Sequence, residues 1–286
     1  MYPGRWPVDG VRTSLYLAAP GSKFWASGLS VPLPTAIARA AALGYDAIEI
    51  MPRAVDDPEP DKLRTLTAQH GLTIAGIASG FLAVEQGLSF THPDPEIREE
   101  AVEAFHRCLE MAQRAGAATV SIGVVRGKLS HGLGHAQAMA HLLACVREVG
   151  RAAQARRLTL VLEPGNRYET DFLHTVEETI AFLEAVNLPN VRLMLDTFHM
   201  NIEEASIAAA VHQAGPRLEH VHFADSNRHA PGWGHLDFAA VAGALRAIGY
   251  RGGIGLEMMF EPDFDAAARQ GIEFVRQLFR IPLAPL

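Results

Sequence analysis

The chain has 286 residues, 49% of them hydrophobic, and a formal net charge of −7, enough apolar material for a substantial core. Lys and Arg are scattered singly apart from "RAAQARRL" at 151–158, so no basic face is offered to a nucleic-acid backbone. No apolar run approaches the roughly 18 residues of a membrane span, and "MYPGRWPVDG" at 1–10 puts Pro and Gly where a signal peptide needs an apolar stretch. The expectation is a soluble, cytoplasmic protein with neither nucleic-acid nor membrane partners.

After an N-terminal extension (1–11), strand-like and helix-like periods alternate along the chain. The strand candidates are "RTSLYL" (12–17), "DAIEIM" (46–51), "LTIAGIA" (72–78), "ATVSIGV" (118–124), "LTLVLE" (158–163), "VRLMLD" (191–196), "LEHVHFA" (218–224) and "GIGLEM" (253–258). Ala-, Leu- and Arg-rich helices lie between them, for instance over 95–115 and 133–156. Cys108 and Cys145 sit in apolar segments of helical period and read as small core residues in a reducing compartment. No Ser-, Gly- or Pro-rich linker divides the chain, so 1–286 is expected to be one domain. Eight such units match the size of a (β/α)8 TIM barrel, with an open doubly wound sheet of fewer strands as the rival.

Four consecutive strand candidates stop at residues that bind metals. The fifth ends in Glu163, the sixth in Asp196, the seventh carries His222 and the eighth Glu257. Each alone would read as a polar strand terminus; together, at the mouth of a barrel, they offer three carboxylates and an imidazole to one small volume. The strand period of two puts Thr159, Val161 and Glu163 on one face, and Leu158, Leu160 and Leu162 on the other. His220 shares the face of His222 one layer deeper and is expected to be a hydrogen-bonded interior histidine, while Gly253 and Gly255 leave space below Glu257. Carboxylates brought so close raise each other's pKa unless a cation joins them. One divalent ion resolves this, and the oxygen-rich donor set favours Mn²⁺, then Mg²⁺ or Co²⁺, with Zn²⁺ also admitted. Among other histidines, His131 and His135 read as members of a Gly-rich loop, and His174 and His212 as helix-surface residues.

The stretches "EPGNRYETDFLHT" (163–175), "MLDTFHMNIEE" (194–204), "HVHFADSNRHAPGWGHLDF" (220–238) and "GLEMM" (255–259) resemble the D-tagatose 3-epimerase and D-psicose (allulose) 3-epimerase family. That family lies within the xylose-isomerase-like TIM barrels, or sugar phosphate isomerase/epimerase group. The resemblance implies that Glu163, Asp196, His222 and Glu257 bind the metal and that Glu163 and Glu257 double as catalytic acid/base. It also implies that Glu169, His199 and Arg228 hold oxygens at the carbonyl end of a ketose, and it favours a homodimer or homotetramer. The N-terminal half departs from the pattern. Of the family's aromatic wall only Tyr16, in "SLYLAAPGSKFW", is matched, whereas "EQGLSFTHPDPEIREEAVE" (85–103) with "IGVVRGK" (122–128) is similar to a sub-branch acting on a keto sugar acid, 5-keto-L-gluconate epimerase. There Arg126, with Lys128 nearby, would pair a substrate carboxylate bidentately.

The chemistry implied is inversion of a carbon next to a ketone: one glutamate takes a proton from one face, the other returns one on the opposite face, and a metal stabilises the enediolate. His199 would donate to an oxygen as charge develops, and Arg228, beside Asn227, would orient the substrate. The small-molecule partner is then a ketose or keto sugar acid. An aldose-ketose isomerase of the hydroxypyruvate or sugar-acid type is the nearest rival. A metal-dependent AP-endonuclease-like nuclease is disfavoured by the charge of −7, and a non-catalytic sugar-binding protein by the presence of both glutamates.

Overall fold

Strands made of β-branched and leucine residues, alternating with helices bounded by caps, leave few ways to bury one apolar face per element. The computed structural model describes residues 11–129 and 132–280. Among the described residues the strands are β1 (Thr13–Ala18), β2 (Ala47–Met51), β3 (Thr73–Ala78), β4 (Thr119–Ile122), β5 (Thr159–Leu162), β6 (Val191–Asp196), β7 (Leu218–Phe223) and β8 (Gly253–Leu256). All pair in parallel in sequence order, and β1 closes on β8 through Thr13 opposite Ile254, forming a closed barrel. The open-sheet alternative is thereby excluded.

The helices are α1 (Leu33–Leu43), α2 (Pro60–Gln69), α3 (Phe81–Val84), α4 (Pro95–Ala115), α5 (His135–Ala155), α6 (Val176–Val186), α7 (Thr197–Glu203), α8 (Ile207–Ala214), α9 (Phe238–Ala247) and α10 (Phe264–Arg280). Local chemistry sets several of these limits. Asp94 caps α4 by accepting from the Glu96 N–H, and Gly116 ends it at φ 74°, a left-handed conformation that suits glycine. Thr175 and Glu178 form a reciprocal capping box at the start of α6.

Outward strand residues such as Leu15, Ile48, Leu160, Leu193 and Ile254 are fully buried in the layer between barrel and helices. The inward positions are different. Ser14, Glu49, Thr119, Thr159 and His220 are buried polar residues, so the lower barrel interior is held by hydrogen bonds as well as by packing. Glu163 and Glu257 stand one residue beyond the ends of β5 and β8, which puts them at the mouth, and the Glu163 N–H still donates to the Ile122 carbonyl at the end of β4.

Several details differ from the sequence reading. β4 stops at Ile122 and a 3-10 turn, Val124–Arg126, follows it. His135 is the first residue of α5, which bears out the helix expected over 133–156 and not the loop reading of that histidine, whereas His131 lies outside the described residues. His174 stands in the loop before α6 rather than on a helix, with its Nε2 3.0 Å from the Thr170 carbonyl, while His212 is exposed on α8 as expected. Cys108 and Cys145 are buried and unpaired with each other, and burial pushes the Cys108 thiol up to about 12, which suits an inert core residue. No helix among the described residues is long and apolar enough to cross a membrane.

Candidate active site and metal centre

The four strand-end residues converge. Glu163, Asp196, His222 and Glu257 each bring a donor atom within 4.8 Å of the others. Asp196, His222 and Glu257 are buried, and Glu163 is partly so. Asp196 both ends β6 and caps α7, its Oδ1 accepting from the Phe198 N–H at 2.8 Å, which leaves Oδ2 facing the cluster. Arg228 bridges two of the carboxylates, with Nη1 2.6 Å from Asp196 Oδ2 and Nη2 2.7 Å from Glu257 Oε2. It takes a left-handed φ of 64° and lies over the Phe198 ring, 4.9 Å from the centroid.

One arginine does not balance three carboxylates, and the two glutamates respond in opposite directions. Burial, with Glu257 and Asp196 close by, pushes Glu163 up to about 8. Burial works against ionisation of Glu257 too, but Arg228 and His222 outweigh it and hold that carboxyl down at about 2. Three carboxylates this close thus leave the cluster short of positive charge, and the deficit falls on Glu163. Glu163 Oε1 is buried and has no hydrogen-bond partner. An orphaned carboxylate oxygen beside two further carboxylates and an imidazole fits a hard divalent cation held by three oxygens and one nitrogen.

The remaining expected residues also reach this mouth. His199 is buried, with Nε2 3.8 Å from Glu163 Oε1. Its Nδ1 lies 2.7 Å from the side-chain amide of Asn166, which also donates to Glu169 Oε1 at 3.0 Å. Since the amide nitrogen only donates, Nδ1 accepts and the ring proton sits on Nε2, toward Glu163. Burial lowers the pKa of His199, favouring the neutral ring. Tyr16 packs edge-on against His222 with centroids 5.5 Å apart, and Phe24 and Trp25 extend that wall outward. Glu169 lines the same pocket.

Arg126 is not a solvated loop arginine. It is 3% exposed, lines the pocket and donates from Nη1 to the Glu163 carbonyl. Gly165 is required beside it, because a Cβ there would collide with the guanidinium. Burial lowers its pKa to about 10, against the opposing pull of Glu163 and Glu169, so it remains charged at neutral pH, and its Nε has no partner. Lys128, by contrast, is exposed.

Sequence reasoning missed two residues. Asn166, inside the 163–175 stretch, is assigned no role from sequence, although its side-chain amide sets the His199 tautomer. Glu49, in the middle of β2, is 5% exposed and meets both His220 and His222. Its signal was available: a carboxylate flanked by Ile48 and Ile50 at an inward position of a core strand. His220 is the hydrogen-bonded interior histidine expected, with Nε2 3.0 Å from Glu49 Oε1.

Comparison with known proteins agrees with this geometry. The family model described as "Xylose isomerase-like TIM barrel" matches residues 37–278. An L-ribulose 3-epimerase of Methylomonas sp. (strain DH-1) is 34% identical, over 85% of this chain and 91% of that protein. A D-psicose 3-epimerase of Enterocloster bolteae is 30% identical, over 96% of this chain and 98% of its own length. Among solved structures, a D-allulose 3-epimerase from Methylomonas sp. in complex with D-allulose superposes with a TM-score of 0.80 at 30% identity, covering 93% of this chain and 96% of that one. With the closed barrel, the matched residues and these relatives in agreement, the chain belongs to the xylose isomerase-like TIM barrel family.

Proposed function

We propose that the chain is a divalent-metal-dependent ketose 3-epimerase or keto sugar acid epimerase, which inverts a carbon next to a ketone with Glu163 and Glu257 as its acid/base pair. The observation that carries this reading is the pair itself: two glutamates, just past the ends of β5 and β8, border one donor cluster from different sides of the barrel mouth. The names of the relatives, L-ribulose 3-epimerase and D-psicose 3-epimerase, support it.

Glu163, Asp196, His222 and Glu257 would hold the ion, with Mn²⁺ preferred and Mg²⁺ or Co²⁺ as substitutes. When bound, such an ion supplies Lewis-acid stabilisation of the negative charge that develops on an enediolate. The chain's own residues handle the protons. Glu257, beside Arg228, accepts from the carbon on one face, and Glu163 returns a proton on the other. His199, with its proton on Nε2, donates to a substrate oxygen beside Glu163. Arg228 fixes Asp196 and Glu257 and orients the substrate, with Glu169 binding a hydroxyl and Tyr16 providing an apolar wall.

The buried charge of Arg126 supports a second reading of the substrate, a keto sugar acid whose carboxylate pairs with the guanidinium. The protein would act in the cytoplasm as a homodimer or homotetramer, which light scattering on the purified chain checks. The deciding experiment incubates the Mn²⁺-loaded protein in D₂O with neutral ketoses and keto sugar acids and follows deuterium and stereochemistry by NMR. Deuterium at an inverted carbon next to the ketone is expected. An aldose product would move the protein to the isomerases, and no exchange with any sugar would sink the two-glutamate mechanism.

A further inference from the structure

We propose that Glu49, which lies beneath the donor cluster on the far side of the His222 ring, is a positioning residue that fixes that ring so that Nδ1 faces the metal site. The inference rests on the metal reading given above.

The argument starts from the strand. In β2, Ile48 and Ile50 point to the helical layer, so Glu49 points into the barrel interior. A carboxylate buried there needs partners for both oxygens. Oε1 accepts from Ser14 Oγ at 2.5 Å and from His220 Nε2 at 3.0 Å, and Oε2 accepts from His222 Nε2 at 2.8 Å. A carboxylate only accepts, so His222 must carry a proton on Nε2. The other nitrogen, Nδ1, points up into the cluster, where it donates to Glu257 Oε2 at 2.9 Å in this structure, and it is the nitrogen at which a cation would replace the proton.

The surroundings leave the ring little freedom. Tyr16 and His220 both meet it edge-on, with centroids 5.5 and 5.1 Å away. The backbone has been cleared for the arrangement at Gly255 on β8. A Cβ at that position would strike Glu49 Oε1, the His222 ring and His220 Nε2 together. The space below Glu257 is thus filled by the Glu49 carboxylate. Glu49, His220 and His222 could themselves be taken for a second metal-binding trio, but the atoms they turn toward one another are already joined in hydrogen bonds. A carboxylate behind a ligating imidazole sets the tautomer and strengthens the ligand, and its loss typically weakens metal binding by roughly 10- to 100-fold.

The test uses the full chain with Mn²⁺ as the probe. Free Mn²⁺ is followed by electron paramagnetic resonance for wild type and Glu49→Gln, an isosteric change. We expect one ion per wild-type chain and a dissociation constant about 10 to 100 times larger in the variant. We also expect kcat at saturating Mn²⁺ to recover more fully than the affinity, a split that a merely structural role would not produce. An unchanged affinity in a folded Glu49→Gln overturns the proposal alone, as do two ions per wild-type chain. A wild-type chain that takes up no Mn²⁺ overturns the metal reading as well. If the variant does not fold, ring-¹⁵N spectra of the wild-type protein loaded with diamagnetic Mg²⁺ decide the matter: His222 protonated on Nε2 supports the assignment, and a proton on Nδ1 overturns it.

Discussion

The two halves of the barrel close one sheet yet present different chemistry at the mouth. Strands β5 to β8 deliver Glu163, Asp196, His222 and Glu257, which are charged or titratable. Strands β1 to β4 deliver Tyr16, Met51, Ala78 and Ser121, which are apolar or small. The difference separates two tasks. On the proposed function, one half would arrange proton transfer and cation binding, which any substrate of the same reaction needs, and the other would shape the space in which one sugar fits better than another. Changes in the first half should therefore affect every substrate alike, and changes in the second should redistribute preference.

The sharpest test of that division is removal of the metal. Chelation should reduce turnover of all substrates to background, with Mn²⁺ restoring it. It should also lower the thermal midpoint, since a ligand at 100 times its Kd stabilises the folded state by about 2.7 kcal/mol. Full activity after exhaustive chelation would break the comparison at its base. Next in size, Glu163→Gln and Glu257→Gln should each lower kcat by ~10² to 10⁴ for every substrate, measured as deuterium wash-in. Loss for one sugar only would move the glutamates from chemistry to recognition.

Arg126 probes the other half. Replacing it by Leu should depress kcat/KM for a keto sugar acid about 10- to 100-fold more than for a neutral ketose, the scale of one charge-assisted hydrogen bond. Equal losses with both would show that it reads no anion. The smallest effect is expected at Asp225, which organises the loop after β7. Burial raises the pKa of this carboxyl, but the N–H groups of Ser226, Leu236, Gly234 and Gly232 outweigh it and hold the pKa down. A carboxyl whose folded pKa is depressed stabilises the protein fully above its unfolded value and loses that contribution as pH falls through the folded one. Asp225→Asn should therefore cost about 1–3 kcal/mol at pH 7. The gap to wild type should narrow as pH drops below about 4, which urea unfolding at several pH values would measure. A gap that does not change with pH would mean that charge at Asp225 plays no part.

The same division explains what could be read from the sequence. The β5 to β8 donor residues were legible because each interrupts an apolar strand at or near its end, and β6 has the predicted limits of 191–196. Glu49 escaped because it interrupts a strand in the middle, where "AIEIM" still scores as apolar. The inward period that identified Glu163 applies equally to it. Arg126 could be named but its burial could not, because that depends on the 3-10 turn after β4 and on the space beside Gly165. His174 was misplaced for a related reason, whereas His135 falls in the helix expected over 133–156. A loop before the Thr175 cap is settled by local hydrogen bonds, not by the period of hydrophobic residues.

One contact crosses the division. The Nη1 of Arg126, on the wall side, donates to the main-chain carbonyl of Glu163, the residue assigned to proton transfer. Anyone redesigning this wall for a new sugar therefore also handles a strut of the catalytic machinery. Variants selected at position 126 for altered taste in substrates should come with altered speed, and a second change, one that re-anchors the 163–165 segment, would be the route to recovering it.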